Sequence, residues 1–232
     1  MTPRAGRLRI RVVDDKPAIL RFLRVSLERQ GYIVATATDA RTALDLIRRG
    51  TTDLVVLDLG LPDMDGLDVV RQIREGGGTL PIIILSSHDN ESAKVLAFDL
   101  CAADYVTKSF GIDELLARIR TALRHRLQQE GERPSFHAGD LCVDLVRRLV
   151  TVRNEDVQFS PREYEVLRLL VAHAGKVLTH DFILREIWGS DAEVCYLRVY
   201  VRALRQKIEA DSERPTHILT VTGVGYRLRE SD

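Results

Sequence analysis

The stretch that decides the fold of the first half of the chain is LVVLDLGLPDMDGLDVVRQIR, residues Leu54–Arg74. It opens with four apolar residues, a run typical of a strand that is buried on both faces of a parallel sheet. Asp58 follows at once, and Gly60 and Pro62 are residues that interrupt regular structure. From Leu67 onward, apolar residues recur at the spacing of an amphipathic helix. The stretch therefore predicts a buried strand, a loop that begins with a carboxylate, and a helix.

The same alternation of buried strand and amphipathic helix continues on both sides of this stretch, as far as Arg126. The predicted strands are Leu8–Val13, Tyr32–Ala37, Leu54–Leu57, Leu80–Leu85 and Ala102–Thr107. The predicted helices are Ala18–Gln30, Ala40–Arg49, Leu67–Arg74, Ser92–Leu100 and Ile112–His125. Five strand–helix units of this size predict an α/β fold, a flavodoxin-like, doubly wound (βα)5 domain.

The second half of the chain has a different pattern. LQQEGERPS at 127–135 is polar, and we interpret it as a linker between a first domain at 7–126 and a second at 136–230. Short alternating segments within Phe136–Phe159 then indicate antiparallel strands. Three helix patterns and two strands follow: a helix opening at the capping-box residues Ser160 and Glu163, the helices Asp181–Trp188 and Ala192–Glu209, and the strands His217–Val221 and Gly225–Leu228. This order predicts a winged helix-turn-helix, an α+β domain.

The composition is that of a globular protein. Of 232 residues, 45% are hydrophobic and 29% are charged, and no apolar run is long enough to span a membrane. The basic start of the chain lacks the apolar region of a secretory signal, and the three cysteines lie far apart, so we expect a cytoplasmic protein. Lysine plus arginine total 34, as do the acids, so a nucleic-acid site has to be a local patch.

Polar side chains follow four of the predicted strands of the first domain. They are Asp14, Asp15, Asp58, Ser86 and Lys108. Taken singly, each has a simpler interpretation as a helix cap, a turn residue or a solvated cation. Together they meet at the carboxyl edge of a parallel sheet, where open α/β folds bind ligands. Converging carboxylates suit Mg²⁺, one of them can accept a phosphoryl group, and a lysine can stabilise the charge of that group.

A basic helix face is the feature of the second domain that points to nucleic acid. In Ala192–Glu209 an apolar stripe lies opposite Arg198, Arg202 and Arg205. By itself such a face is usually a solvated surface. Here it follows a helix and a tight turn, the arrangement in which a second helix enters the major groove.

Seven segments resemble a known family. VVDDKPAILRFL, LVVLDLGLPDMDGLDVVRQIR and DYVTKSFGIDELLARI resemble the receiver domain of two-component response regulators. SPREYEVLRLL, GKVLTHDFILREIWG, YLRVYVRALRQKIE and TVTGVGYRL resemble the OmpR/PhoB winged-helix effector domain. Within that subfamily, LDLGLPDMDG, YLRVYVRALRQKIE and SERPTHILT are most similar to potassium-transport regulators.

The resemblance implies a transcription factor and no enzyme. Such a protein is phosphorylated by a sensor histidine kinase, forms a homodimer, binds direct repeats in promoter DNA and works with RNA polymerase. By resemblance, Asp58 is the phosphoacceptor, and Mg²⁺ is held by Asp14, Asp15, Asp58 and the carbonyl of Gly60. Ser86 is then the switch hydroxyl, Tyr105 its aromatic partner, and Lys108 the phosphate-binding lysine.

The resemblance also assigns residues to DNA contact and to dimerisation. The DNA contacts would be made by Arg198, Tyr200, Arg202 and Arg205 in the recognition helix and by Thr220 and Thr222 in the wing. The family dimerises through its fourth helix, fifth strand and fifth helix by charge pairs between protomers. The matching residues here are Lys94 with Glu114 and Asp104 with Arg118.

The chain departs from the family pattern at three places. Lys108-Ser109 replaces Lys-Pro, whose bond is usually cis. A cis bond before serine costs about 2.5–4 kcal/mol, so either a trans bond moves the lysine or a strained bond persists. Cys101-Ala102-Ala103-Asp104 replaces Gly-Ala-Asp-Asp, which removes one acid from the dimer face and puts cysteine where φ is expected to be positive. Lys16 stands where an acid is common.

Two other functions remain open. A phosphohydrolase of the haloacid-dehalogenase type also uses an aspartate after a strand, but it needs a second acid two residues on, where this chain has Gly60. A DNA-binding protein that does not depend on phosphorylation, with a receiver that serves only for dimerisation, is the other alternative.

Overall fold

The protein is described by a computed structural model that covers residues 8–49, 52–77, 79–87, 91–131, 133–189 and 193–230. The chain separates into two compact units, and the first of them ends at Gly131. Among the described residues, no helix combines the length and the apolar character needed to cross a membrane.

The first unit is a five-stranded parallel sheet with helices between its strands. The strands are β1 (Arg9–Val13), β2 (Ile33–Ala37), β3 (Leu54–Asp58), β4 (Ile82–Ser86) and β5 (Asp104–Thr107). The helices are α1 (Pro17–Arg29), α2 (Ala40–Arg49), α3 (Gly66–Glu75), α4 (Glu91–Asp99) and α5 (Ile112–Gln129). The strand order β2-β1-β3-β4-β5 is that of the flavodoxin-like fold, so the predicted fold class is confirmed.

The apolar runs of the sequence form the centre of this sheet. Every residue of β3 and of β4 is buried, as expected for parallel strands that are covered by helices on both faces. β3 and β4 pair in the register Val56 to Ile83, and their last residues, Asp58 and Ser86, come to the same edge. The buried strands thus bring polar groups to one end of the sheet.

Helix α5 is longer than the sequence pattern indicated. It continues to Gln129, and Leu127, four residues after the buried Leu123, is itself buried. The guanidinium of Arg126 donates to the carbonyl of Thr52 over 2.9 Å, which ties this turn to the sheet. Residues 127–129, which the sequence pattern assigned to the linker, are thus helical, because Leu127 extends the apolar stripe of α5 by one turn.

The second unit begins with a four-stranded antiparallel sheet of β6 (Ser135–Ala138), β7 (Leu141–Asp144), β8 (Leu149–Val152) and β9 (Glu155–Asp156). Three helices follow: α6 (Pro161–Ala172), α7 (His180–Trp188) and α8 (Val194–Ile208). The second sheet contains β10 (Val177–Thr179), β11 (Ile218–Val221) and β12 (Gly225–Leu228), in the order β10-β12-β11. The predicted winged helix-turn-helix is confirmed, and the start predicted for α8 at Ala192 lies outside the described residues.

Two local features of this unit are the cap at the start of α6 and the close crossing of β10 and β12. Ser160 and Glu163 form both hydrogen bonds of the predicted capping box at the start of α6. The short strand β10, which the sequence pattern did not indicate, passes so close to β12 that a side chain at Gly225 would approach the carbonyl oxygen of Leu178 to 1.9 Å. Only glycine is compatible with this crossing.

Candidate functional site

Three carboxylates meet at the carboxyl edge of the parallel sheet. Asp14 and Asp15 follow β1, and Asp58 is the last residue of β3. One oxygen of each lies within 4.8 Å of the others. Asp14 and Asp58 are buried, with 0% and 3% exposure, whereas Asp15 is exposed. The structure therefore brings together the three acids that the sequence predicted to converge.

Lys108, directly after β5, reaches into this cluster. Its Nζ lies 2.6 Å from Oδ2 of Asp58 and 2.7 Å from Oδ2 of Asp14. Burial opposes the charged form, but the hydrogen bonds to Asp14 and Asp58 outweigh it and raise the pKa of Lys108. The Lys108–Ser109 bond is trans, and the lysine is nevertheless in the pocket.

The donor set of the cluster fits a hard divalent cation. Oδ1 of Asp14 accepts the backbone N–H of Lys16 over 2.9 Å. Oδ2 of Asp14 is buried and, apart from the ammonium of Lys108, has no hydrogen-bond partner of good geometry among the described residues. Gly60 lies next to Asp58, because a Cβ on it would be 3.9 Å from Oδ2 of Asp58. Oxygen ligands of this kind are those that Mg²⁺ prefers.

The loop that follows Asp58 depends on three residues that our sequence analysis did not single out. A Cβ on Gly66 would lie 2.6 Å from the carbonyl oxygen of Asp58, so glycine allows α3 to begin against the strand end. Asp65 caps α3 by accepting the N–H of Leu67 over 2.8 Å. Asp63 accepts the N–H of Ala40, and this hydrogen bond lowers the pKa of Asp63. The sequence did contain a signal for this helix start, namely an acid and a glycine directly before the helix pattern.

Ser86 and Tyr105 lie on β4 and β5, which follow β3 in the sheet. Ser86 ends β4 and is buried. Tyr105 lies in β5, and its side chain is 5% exposed and packs in the core of this unit. Ser86 pairs with Thr107, one residue before Lys108. Both residues are therefore close to the carboxyl edge, as the resemblance implied.

The second unit presents the outer face of α8 to solvent. α8 buries one stripe of side chains, namely Leu197, Val201, Leu204 and Ile208. Arg198 and Arg202 are exposed on the other side. Tyr200 is half-buried and its ring lies 5.3 Å from that of Trp188, so it packs between α8 and α7. Thr220 and Thr222 are exposed at the wing.

Arg205 has a different environment from the other two arginines. Its Nε and Nη2 donate to the carbonyl oxygen of Ile218 over 3.1 and 2.6 Å, and Nη2 also donates to Oγ1 of Thr220 over 2.8 Å. Lys207 also has a partner within the unit, since its Nζ donates to Oε2 of Glu163 on α6 over 2.7 Å. Arg205 thus connects α8 to the wing, whereas Arg198 and Arg202 point to solvent.

The four residues assigned to dimerisation lie on α4, β5 and α5. Arg118 donates to Asp104 over 2.7 Å and to Glu114 over 2.8 Å within the same chain, and these bonds raise the pKa of Arg118. Lys94 is exposed on α4. Val95 and Phe98 add exposed apolar surface to α4, which our sequence analysis had not identified.

Cys101 adopts φ +59°, so the conformation expected for a glycine position is present with a cysteine in it.

Comparisons with known proteins agree with this architecture. Residues 10–120 match the response regulator receiver domain, and residues 154–228 match the C-terminal domain of transcriptional regulatory proteins. The chain is 42% identical to the KDP operon transcriptional regulatory protein KdpE of Escherichia coli, over 94% of this chain and 97% of the relative. It is 44% identical to the response regulator MprA of Mycolicibacterium vanbaalenii, over 97% and 98% of the two chains.

The receiver also has a counterpart among solved structures. The response regulator receiver domain protein (CheY-like) of Methanospirillum hungatei matches 53% of this chain and 99% of its own length, with a TM-score of 0.52 and 27% identity. The receiver and effector matches, the identity of 42% to KdpE and 44% to MprA over nearly the whole chain, and the observed fold all agree. The chain therefore belongs to the two-component response regulators with an OmpR/PhoB-type DNA-binding domain, and it is a transcription regulator of that family.

Proposed function

We propose that this regulator is activated by phosphorylation of Asp58, the step for which the pocket at the carboxyl edge of the sheet is built. The observation that carries the proposal is the position of Asp58, a nearly buried carboxylate whose Oδ2 lies 2.6 Å from the ammonium of Lys108. A sensor histidine kinase supplies the phosphoryl group. An oxygen of Asp58 forms the new P–O bond while the P–N bond to the kinase histidine breaks.

The other pocket residues have separate roles in this transfer. Asp14, Asp15, Asp58 and the carbonyl of Gly60 would hold Mg²⁺, which when bound neutralises charge on the phosphoryl oxygens. Lys108 then exchanges its ion pair with Asp58 for one with the phosphoryl group. Ser86 donates its hydroxyl hydrogen to a phosphoryl oxygen, and Tyr105 follows the movement of Ser86.

Phosphorylation is tested with acetyl phosphate and Mg²⁺, followed by electrophoresis in a gel that retards phosphoproteins. We expect the wild type to gain one phosphoryl group and Asp58→Asn to gain none. Asp68→Asn, which changes a half-buried acid on α3 outside the cluster, is the matched control and should be modified like the wild type. Modification of Asp58→Asn at the wild-type level would show that the pocket assignment is wrong.

The effector part of the proposal concerns DNA. Residues 7–126 serve as receiver and residues 136–230 as effector, and two phosphorylated chains form a homodimer on direct repeats in promoter DNA. Arg198 and Arg202 contact DNA from α8, with Thr220 and Thr222 in the wing. The regulator works in the cytoplasm with RNA polymerase. The 42% identity to KdpE supports a potassium-transport operon as target, whereas the 44% identity to MprA supports no particular operon.

A regulator that binds DNA without phosphorylation is the second candidate, and one observation favours it. Val95 and Phe98 expose apolar surface on α4, which can support association of two receivers without a phosphoryl group, as a receiver that serves only for dimerisation requires. The Asp58→Asn protein distinguishes the two functions. Equal DNA affinity of this variant and of the phosphorylated wild type would support the second candidate.

A further inference from the structure

The receiver unit has a second concave site, at the end of the parallel sheet that lies opposite to the carboxylate cluster. It is an open cavity of about 470 Å³. Pro81 and Ala103, which come directly before β4 and β5, line it together with the last three turns of α5. The starts of these two parallel strands lie at one edge of the sheet, whereas Asp58 and Lys108 lie at the other. The cavity is therefore separate from the carboxylate cluster.

The charged side chains in the wall of this cavity are mostly basic. Three arginines and His125 line it, and Asp104 is the only acid in the part of the wall that the structure describes. Two of the arginines, Arg118 and Arg126, form ion pairs with acids of their own unit. The third, Arg74, therefore decides what kind of ligand the cavity attracts.

Arg74 is a half-buried cation in the last turn of α3. Its Nη2 donates to the carbonyl oxygen of Cys101 over 2.8 Å. Burial lowers the pKa of Arg74, and an opposing effect of Cys101 is smaller, so the surroundings on balance disfavour the charged form. An anion beside the guanidinium stabilises the charged form and offsets the cost of burial. The wall thus contains a cation that an anionic ligand would stabilise.

Two departures from the family pattern lie in the wall of the same cavity. They are Cys101 and Ala103, in the segment that replaces Gly-Ala-Asp-Asp. An acid at position 103 would add a carboxylate to the wall and repel an anion, whereas alanine contributes a methyl group. Pro81 and Ala122 extend this apolar surface. The chain therefore has apolar wall beside a positive charge at a place where the family has one more negative charge.

We propose that this cavity binds a small organic anion, a molecule with one acidic group on a compact apolar body. The acidic group lies beside Arg74, and the apolar body packs against Ala103 and Ala122. Sites for small molecules commonly have volumes of about 300–1,000 Å³ and a largely apolar wall with a few charged groups. Asp104 and Arg118 belong both to this wall and to the residues assigned to dimerisation. A bound anion therefore adjoins the proposed dimer face and gives the receiver a chemical input besides phosphorylation.

The test uses 1-anilinonaphthalene-8-sulfonate, an organic anion that becomes fluorescent when it leaves water, and N-phenyl-1-naphthylamine, its uncharged counterpart. The unphosphorylated full-length chain is titrated with each probe. We expect the wild type to bind the sulfonate saturably. Arg74→Met keeps the apolar stem of the side chain. It should weaken sulfonate binding about tenfold or more, the range for a lost hydrogen bond to a charged group, and change the affinity for the amine by less than about twofold.

Position 103 provides a matched pair of variants. Ala103→Asp and Ala103→Asn add side chains of nearly equal size, but only the first adds negative charge. Ala103→Asp should therefore weaken sulfonate binding more than Ala103→Asn does, and the two variants should bind the uncharged amine equally. Ala103 is exposed, so both variants keep their fold.

Alkylation of cysteines locates the bound probe. Cys101 lines the cavity, and Cys195, an exposed cysteine of the effector unit, is the internal reference. With the sulfonate at about ten times its dissociation constant, iodoacetamide should modify Cys101 about tenfold more slowly, because only the unoccupied fraction reacts. The rate at Cys195 should stay unchanged. The proposal is overturned if the wild type does not bind the sulfonate saturably, if Arg74→Met and Ala103→Asp bind it as tightly as the wild type, or if bound sulfonate leaves Cys101 as reactive as before.

Discussion

Lys108 holds together two buried carboxylates that would otherwise repel each other. Its Nζ is within 2.7 Å of both Asp14 and Asp58, and the side chain of Asp14 is fully buried. A buried pair of anions costs several kcal/mol unless a cation compensates it. In the phosphorylation mechanism proposed above, the metal and Lys108 share this compensation. Lys108 can therefore turn to the phosphoryl group only when the charge on Asp14 is balanced by another cation.

A second residue, His173, makes the stability of the effector unit depend on pH. Its Nε2 is buried without a hydrogen-bond partner among the described residues, and its ring packs edge-on against Phe182 at 5.5 Å. Burial, with a smaller effect of Lys176, lowers the pKa of His173. The unfolded chain keeps the ordinary pKa of about 6.5. As the pH falls through this value, the unfolded chain binds a proton that the folded chain resists, so the free energy of unfolding decreases.

We expect His173→Gln to reduce this loss of stability between pH 7 and pH 5. The measurement is urea unfolding followed by the fluorescence of Trp188, which is the only tryptophan of the chain and lies in the effector unit. Gln206→Ala, a change of an exposed side chain in the same unit that does not titrate, should leave the pH dependence as in the wild type. An identical pH dependence of His173→Gln and the wild type would contradict the prediction.

At the scale of elements, the recognition helix and the wing form one connected structure. Arg205 bonds the carbonyl of Ile218, and the carboxylate of Glu209 accepts the backbone N–H groups of Thr216, His217 and Ile218 over 2.8–3.1 Å. These bonds join the last turn of α8 to the start of β11. They hold the helix and the hairpin, which carry the proposed DNA contacts, in a fixed relation to each other.

This connection separates the effects expected for two arginine variants. Arg202→Ala should lower the slope of log affinity against log salt by about 0.9 if it loses a phosphate contact, or relax the preference at one base if it loses a guanine. Arg205→Ala should weaken binding with an unchanged slope, because its guanidinium bonds a backbone carbonyl and loosening it frees the wing. Titrations at several salt concentrations measure both. A slope reduced by Arg205→Ala as much as by Arg202→Ala would show that Arg205 leaves the wing to bind phosphate.

The sequence predicted those elements whose signal is local. Apolar runs located the five parallel strands, and the spacing of Ser160 and Glu163 located a helix start. It missed β10, because three residues have no period and form a strand only by pairing with β12. It also could not distinguish Arg205 from Arg202, since both lie on the polar side of α8. The difference arises from Ile218, thirteen residues away, whose position only the folded hairpin determines.

At the scale of the whole molecule, the activation proposed above requires that two chains associate more strongly after phosphorylation. The face that the family uses has two exposed apolar residues here, Val95 and Phe98. Arg118 is occupied within its own chain by Asp104 and Glu114. Ala103, exposed just before β5, stands where the family has an acid. The dimer should therefore rely more on apolar contact and less on charge pairs than in typical members of the family.

Restoring the missing acid tests this view of the dimer. Ala103→Asp places an acid on each chain that can pair with Arg120 of the partner subunit. A twofold-symmetric dimer therefore gains two such ion pairs. Exposed ion pairs contribute about 0–1 kcal/mol each, so the dissociation constant of the phosphorylated dimer should fall by up to about thirtyfold. Sedimentation velocity across a dilution series measures it. Ala210→Asp adds the same charge to an exposed position of the effector unit and should leave the dissociation constant unchanged.

The salt dependence of the dimer separates the two kinds of contact. Because the new ion pairs are exposed, the gain in affinity should diminish at high salt, whereas association through Val95 and Phe98 should persist. A dimer of unchanged or lower strength in Ala103→Asp would show that chains associate through another face.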